Sequence, residues 1–283
     1  MSLSLRLVNK KVLYAIEDVG LILPSEEFYY FTNPGSEFIK QKFDEYRQSG
    51  VLLPGTPDPP KAKRDYTAMN LSLEKRFSHN WQGGLSYTLS RLVGNYSGLA
   101  SADENGRNSP NGERYFDMWH LSYDKNLNPI DGPLPTNRPH SFKAYGSYAF
   151  PFGLTFGLVA NAYSGTPVTE EWNVDSPGYF PYNRGNLGYT PFIFLTNVYL
   201  EYELKLGGRM GLKFSLNVDN LFDAKTAQQI YATKYRYNIS PGDAALLAMN
   251  WEPAADAVLD PRFGMGYNFL APISGRLGVR FVF

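Results

Sequence analysis

Apolar and polar residues alternate with a period of two in several segments of this chain. In residues 67–77 every second residue from Met69 to Leu73 is apolar, and the residues between them are polar or charged. Residues 81–93 repeat the alternation, and only residues 78–80 separate the two segments. This alternation is typical of a β-strand with two different faces, and so short a gap predicts a tight hairpin.

The same pattern predicts two further hairpins. Residues 142–150 and 154–163 flank a turn at 151–153, although Val159 and Tyr163 fall on the polar side. The clearest alternation is in residues 194–206 and 210–218, around a turn at 207–209. With residues 2–8 at the start and 273–283 at the end, the pattern predicts eight strands.

The connections between the predicted strands differ sharply in length. Short turns at 78–80, 151–153 and 207–209 alternate with long segments rich in Gly, Pro, Asn and Asp, such as 94–140 and 164–191. We interpret residues 9–63 as one long outer loop. Long outer loops and short periplasmic turns are the pattern of antiparallel barrels in the bacterial outer membrane, and the last strand would then run toward the periplasm.

Composition narrows the function classes. The 27 basic and 27 acidic residues leave no net field to attract nucleic acid, and the absence of cysteine removes disulfides and thiolate sites. No segment approaches the ~20 consecutive apolar residues of a membrane helix, and the chain does not open with a secretory signal. A mean hydropathy of -0.34 is nevertheless compatible with membrane strands, because their two faces average out.

Alternation alone does not say which face meets lipid. A soluble barrel or sandwich would bury Leu200 and Leu216 in its core. Three features favour the membrane instead. The strands have about 10 residues or more, enough to cross the bilayer at a tilt. The alternation continues to the last residue of the chain. Aromatic residues lie beside the turns, as in the aromatic girdle at a membrane interface. Those aromatic residues are Phe77, Trp81, Phe150 and Phe152.

Several motifs resemble one family. Residues 215–223, SLNVDNLFD, resemble the penultimate strand and turn of TonB-dependent receptors, and the final residues, GRLGVRFVF, resemble the barrel-assembly signal of outer-membrane proteins. The segments SRLVGNYSGLASADENGR (90–107), SPNGERYFD (109–117) and LPTNRPHSFK (134–143) are similar to the Oar-like branch of those receptors.

The resemblance implies an all-β, antiparallel transmembrane barrel that takes up a ligand with energy from TonB. Such receptors have a plug and typically about 22 strands, so we interpret residues 1–283 as the C-terminal barrel portion, without plug or signal peptide. TonB would then act only through a plug that this chain lacks. The alternatives are a complete porin-like or adhesion barrel of eight strands and, as a minor one, an outer-membrane barrel enzyme.

No residue pattern indicates catalysis, a cofactor or a metal. His79, His120 and His140 have no metal-ligand spacing around them, and the acidic run at 103–105 lacks the spaced oxygen ligands of a calcium loop.

The predicted partners are outer-membrane lipid, the barrel-assembly machinery and an unknown extracellular ligand. The ligand would contact outer loops, where aromatic and Arg side chains carry much of the energy at binding surfaces; the plainer interpretation is that such residues stiffen the loops. These candidates are Tyr96, Arg107, Arg114, Tyr115, Trp119, Trp172, Tyr179, Tyr182 and Arg184. The resemblance implies an assembly signal made of Phe283, Phe281, Val279 and Leu277.

Overall fold

One antiparallel sheet carries every strand that the alternation predicts. The computed structural model describes residues 1–22, 27–97, 116–207 and 210–283. Within them the sheet has eight strands, all paired with antiparallel neighbours, and it is open. Its strands in spatial order are β1 (Ser2–Val12), β4 (Arg64–Ser78), β5 (Trp81–Gly94), β6 (His140–Ala149), β7 (Leu154–Tyr163), β10 (Ile193–Gly207), β11 (Met210–Asp219) and β14 (Ser274–Val282).

The two faces of the sheet are continuous across the strands. On one face, Leu200 lies between Phe156 and Leu216, and Leu216 lies beside Leu277 of the last strand. We call this the outer face; many of its leucines and aromatic rings are exposed, Leu277 to 82%, and Leu200 and Leu216 are partly exposed. An apolar face this extensive on the outside of a sheet marks contact with lipid rather than water. The predicted assignment of the apolar side chains to one face is therefore confirmed.

Charged and polar side chains form the opposite, inner face. Lys213 lies 3.4 Å from Glu203 and 3.5 Å from Glu201, and Arg280 is next to Lys213 in the register. Val159 lies on this face between polar neighbours, as the sequence predicts. Lys213 and Arg280 are like charges in neighbouring positions, and the carboxylates of Glu201 and Glu203 beside Lys213 offset their repulsion.

The short turns lie at one end of the sheet. Ser78 pairs with Trp81, and the two residues between them, His79 and Asn80, have φ of 53° and 64°. Positive φ at both central positions is the signature of a type I′ turn, which matches the twist of the adjoining strands. The turn at 151–153 is likewise tight, with Gly153 at φ 97°. Residues 208 and 209 of the third predicted turn lie outside the described residues.

Most of the buried apolar residues lie in the long connections at the other end. These connections are residues 13–63, 95–139, 164–192 and 220–273, and their described parts all contribute to one cluster. We call this cluster the loop core. It consists of Ala15, Val19, Ile39, Phe43, Leu52, Ala62, Tyr96, Phe116, Met118, Trp119, Leu121, Ile130, Trp172, Val174, Tyr179, Phe180, Leu246 and Trp251.

The first long connection is not the plain loop that the sequence suggests. Residues 9–12 extend β1, and the rest contains a hairpin and the helix α1 (Glu37–Gln48). Ile39 and Phe43, one helical turn apart, are both fully buried, which ties the helix to the loop core. The interpretation of residues 9–63 as one long loop is therefore wrong, because the segment contains the end of β1, a hairpin and a helix whose buried residues pack in the loop core. The hairpin is β2 (Glu17–Ile22) with β3 (Glu27–Thr32).

The other connections also contain short elements. They are β8 (Trp172–Val174), β9 (Ser176–Tyr179), β12 (Ala227–Ile230), β13 (Gly266–Phe269), the short helix α2 (Asp243–Leu246) and a 3₁₀ turn at Trp119–Ser122. Within the described residues, the longest helix has 12 residues, and none is long and apolar enough to cross a membrane.

The Asn-Leu-Phe-Asp turn that follows β11 is organised by Asn220. This residue is buried, has φ of 49°, and its side-chain amide donates to the carbonyl oxygens of Ala224 (3.1 Å) and Ala271 (2.8 Å). Its side-chain oxygen accepts from the Ala224 N–H at 2.9 Å. Asp223 accepts from the N–H of Ile273 at 3.1 Å. The motif thus fixes the direction in which the chain leaves and re-enters the sheet.

Candidate functional site

Backbone hydrogen bonds join the four long connections into one unit. Gly20 donates to Phe116, which links the first connection to the second (3.1 Å). Lys125 donates to Pro181 (3.3 Å), which links the second to the third. The fourth is joined to the third because the Lys234 N–H donates to Glu171 at 2.8 Å. Segments tied in this way hold their side chains in fixed relative positions.

Aromatic rings surround Trp172 at the centre of this unit. The ring of Trp172 is fully buried and meets those of Trp251 at 5.4 Å and Tyr235 at 5.5 Å, both edge to face. Tyr182 lies at 6.0 Å, also edge to face, and Tyr179 at 6.2 Å. Such ring pairs add to the stabilisation from burial. Trp172 is therefore the residue on which the third and fourth connections pack.

Two ion pairs lie beside the rings. Glu170 accepts hydrogen bonds from the indole N–H of Trp172 (2.7 Å) and from the Lys234 ammonium (2.9 Å). Burial opposes the charge on Lys234, but the contacts with Glu170 outweigh it and leave the pKa of Lys234 raised. Lys125 pairs with Glu252, and this hydrogen bond raises the pKa of Lys125. Both lysines thus stay charged at neutral pH.

One face of this arrangement is open to the outside. Tyr182 is 42% exposed, and the Lys125 ammonium lies 4.9 Å from the centre of its ring. An exposed aromatic ring flanked by charges of both signs can stack on an apolar part of a ligand while Lys and Glu bind its polar groups. We call this the Tyr182 surface. It consists of Tyr182, Lys125, Lys234, Tyr235 and Glu252.

The structure distributes the predicted ligand-binding residues unevenly. Five of them are buried and pack within the loop unit, so their geometry supports the stiffening role. Tyr182 is exposed, and a direct contact with ligand stays a prediction for all of them. Arg107, Arg114 and Tyr115 lie outside the described residues. The five buried residues are Tyr96 (7%), Trp119 (4%), Trp172 (0%), Tyr179 (2%) and Arg184 (5%).

Sequence reasoning missed four members of the Tyr182 surface. Lys125 and Glu252 are 127 positions apart, and Lys234 is 64 positions from Glu170. No periodicity connects residues at such distances, because irregular connections bring them together. The nearest sequence signal is the concentration of Tyr and Trp in the third and fourth connections.

His120 is a buried titratable residue beside the loop core. Its Nε2 lies 3.3 Å from the carbonyl oxygen of Val174, and burial lowers the pKa of its imidazole. Glu17 is also buried, and burial raises its pKa. In the part of the chain that the structure describes, no group of three His, Cys, Asp or Glu residues is placed to hold a metal ion.

Comparisons with known proteins agree with this architecture. Residues 56–176 match the family described as outer membrane beta barrel domain. The chain is 27% identical, over 279 aligned positions, to the TonB-dependent transporter Oar of Myxococcus xanthus. That match covers 90% of this chain and 24% of Oar, so the chain spans about a quarter of that relative.

A crystal structure of the ferric-catecholate import receptor Fiu from K12 E. coli, in its closed form, is also similar. The match has a TM-score of 0.37 and 16% identity, and it covers 62% of this chain and 19% of Fiu. Three observations indicate an outer-membrane location: the family match, the similarity to a protein named a TonB-dependent transporter, and the exposed apolar face of the sheet. The chain is an outer-membrane β-barrel protein of the Gram-negative cell envelope, similar to TonB-dependent transporters over most of its length.

Proposed function

We propose that this chain forms part of the wall and the outer binding surface of a receptor that takes up an extracellular ligand with energy from TonB. The observation that carries the proposal is the loop core, in which four connections pack into one rigid unit and present the Tyr182 surface. A fixed surface of aromatic and charged side chains on outer connections is suited to binding a ligand. Similarity to a TonB-dependent transporter over 90% of the chain supports the energy source.

We propose that further strands complete the barrel. Within the described residues β1 and β14 each pair on one side only, and the sheet is open. Unpaired backbone N–H and C=O groups are costly in hydrocarbon, so both edges require partners. Additional strands of the same receptor meet this need, and the plug that contacts TonB would fill the barrel that they close. This arrangement favours the receptor over a complete eight-stranded porin-like barrel.

The last strand supports a contact with the barrel-assembly machinery. Three alternate side chains of β14 lie on the outer face at the edge of the sheet, open to a partner, and Phe283 follows the strand. The ring of Phe283 is 91% exposed and stacks on that of Phe281, with centroids 5.9 Å apart. We propose that the barrel-assembly machinery binds these side chains when it inserts the protein into the membrane. They are Leu277, Val279, Phe281 and Phe283.

The function is tested by following which compounds cells remove from their medium. In cells that express the full receptor, mass spectrometry should identify a compound whose depletion stops when TonB is deleted. Tyr182→Ala should slow its depletion at least about tenfold, the effect of removing an energetically dominant aromatic residue from a binding surface.

Tyr237→Ala is the matched control, because Tyr237 is also an exposed loop tyrosine (58%) with a cation, Arg236, beside its ring (5.5 Å). It should leave depletion unchanged. Depletion that continues without TonB would contradict energised uptake. TonB-dependent depletion that is unaffected by Tyr182→Ala would place the binding surface elsewhere on the receptor.

A further inference from the structure

The outer face of the sheet has a hollow near the short turns. Its volume is about 630 Å³, within the range of about 300–1,000 Å³ usual for small-molecule sites. Three small residues of β5 and β6, Gly83, Ala144 and Gly146, lie at its base. Larger outer-face side chains surround it, namely Leu73, Trp81, Leu85, Tyr148, Phe156 and Leu158.

The hollow is open because two glycines on neighbouring strands have no side chains to fill it. Gly83 and Gly146 are directly opposite each other in the register of β5 and β6. A Cβ atom at Gly83 would lie 2.9 Å from the carbonyl oxygen of Tyr145, and one at Gly146 would lie 3.3 Å from that of Gln82. The close approach of the strands therefore favours glycine at both positions. The hollow lies mainly among β4 to β7, away from the unpaired edge of β14, and Met1 beside β1 also lines it.

A cation lies at the end of the hollow nearest the turn. Lys75 is on the outer face, and its ammonium donates to Ser78 O (2.7 Å), Ser78 Oγ (2.8 Å) and Trp81 O (3.0 Å). The same ammonium lies 4.0 Å from the centre of the Trp81 ring. All of these partners are neutral, and among the described residues no carboxylate pairs with Lys75. The ammonium uses its donors within the turn, including a long contact with Arg76 O (3.4 Å), but its positive charge is not compensated by a carboxylate. It can attract an anion at the level where Trp and Lys side chains meet the membrane interface.

We propose that the hollow binds one acyl chain of an anionic glycerophospholipid whose phosphate lies beside Lys75. Lipid is the occupant because this face lies in the outer membrane. The apolar walls fit a hydrocarbon chain, and the ammonium at the mouth fits the charge of the head group. The proposal rests on the outer-membrane location and does not depend on ligand uptake.

The test uses the full receptor in a bilayer of equal parts phosphatidylglycerol and phosphatidylcholine. A photo-crosslinking phenylalanine, p-benzoylphenylalanine, replaces Phe156 in the wall of the hollow. Phe142 is the matched control, since both rings are on the outer face with similar exposure, 36% and 39%. Mass spectrometry of the adducts should show phosphatidylglycerol in about fivefold excess at 156, as expected for one lysine at an anionic surface, and no excess at 142.

Two pairs of variants separate this site from general lipid contact. Lys75→Gln should abolish the excess of phosphatidylglycerol at 156. Lys11→Gln should preserve it, because Lys11 is on the same face but lies on β1 at the end of the sheet away from the short turns. Ala144→Leu should fill the hollow and lower the adduct yield at 156, whereas Ala162→Leu should not. Insertion of each variant is verified by the gel shift between folded and heated protein, because Ala162 lies directly beside Phe142 in the register. Equal lipid ratios at 156 and 142, or an excess that survives Lys75→Gln, would overturn the proposal.

Discussion

Arginine in place of Leu216 is expected to block assembly of the barrel. Leu216 lies in the middle of β11 on the outer face, between Leu200 and Leu277. A cationic side chain there would enter the hydrocarbon and cost about 2–4 kcal/mol near the midplane of the bilayer. The folded fraction in lipid vesicles, measured by the gel shift between folded and heated protein, should fall at least about tenfold.

Ser215→Arg is the matched control for this substitution. Ser215 is the preceding residue on the inner face, and Glu201 lies opposite it. An arginine there meets a carboxylate and water, so the folded fraction should stay close to that of the parent. If the two variants were equally impaired, or if Ser215→Arg were worse, the assignment of the faces would be wrong.

Trp172→Ala is expected to loosen the loop core while the barrel still inserts. The substitution removes a fully buried indole and its ring contacts, and changes of this type cost about 3–5 kcal/mol. It also deprives Glu170 of one of its two donors. Protease added to intact cells should then cut within residues 116–139 and 164–192 much faster than in the parent.

Tyr182→Ala is the control in this protease assay, because it alters the proposed binding surface and not the loop core. Tyr182 is partly exposed and contributes less to packing than Trp172, so protease resistance should remain near the parental level. Trp172→Ala protein as resistant as the parent would contradict the view that this ring holds the loops together. Failure of Trp172→Ala to reach the membrane would mean that the loop core is needed for assembly itself.

The sheet is predictable from sequence because a membrane strand has two different environments. Lipid on one side and polar surroundings on the other require alternation at every residue, as in the pair of β10 and β11. Even the exceptions were visible, since Val159 already falls on the polar side in the sequence. Strand ends were less predictable, because residues 9–12 owe their extended conformation to pairing with residues 64–67 of β4.

The loop core was not predictable, because its residues follow no period. Ile39 and Phe43 are four positions apart in a short helix, a spacing too brief to stand out from loop composition. The ring contact between Trp172 and Trp251 joins two different connections. The candidate residues that the structure describes lie in the connections, but burial separates Trp172 from Tyr182, and burial can be seen only in the fold.

The central claim, a membrane wall with its loop core outside the cell, is tested most directly by labelling single cysteines. Residues 1–283 contain no cysteine, so Ala255→Cys in the fourth connection and Ser78→Cys in a short turn each provide a single cysteine within this region. A membrane-impermeant maleimide should label Ala255→Cys in intact cells, and Ser78→Cys only after the outer membrane is opened. Labelling of Ser78→Cys in intact cells while Ala255→Cys stays protected would contradict the account.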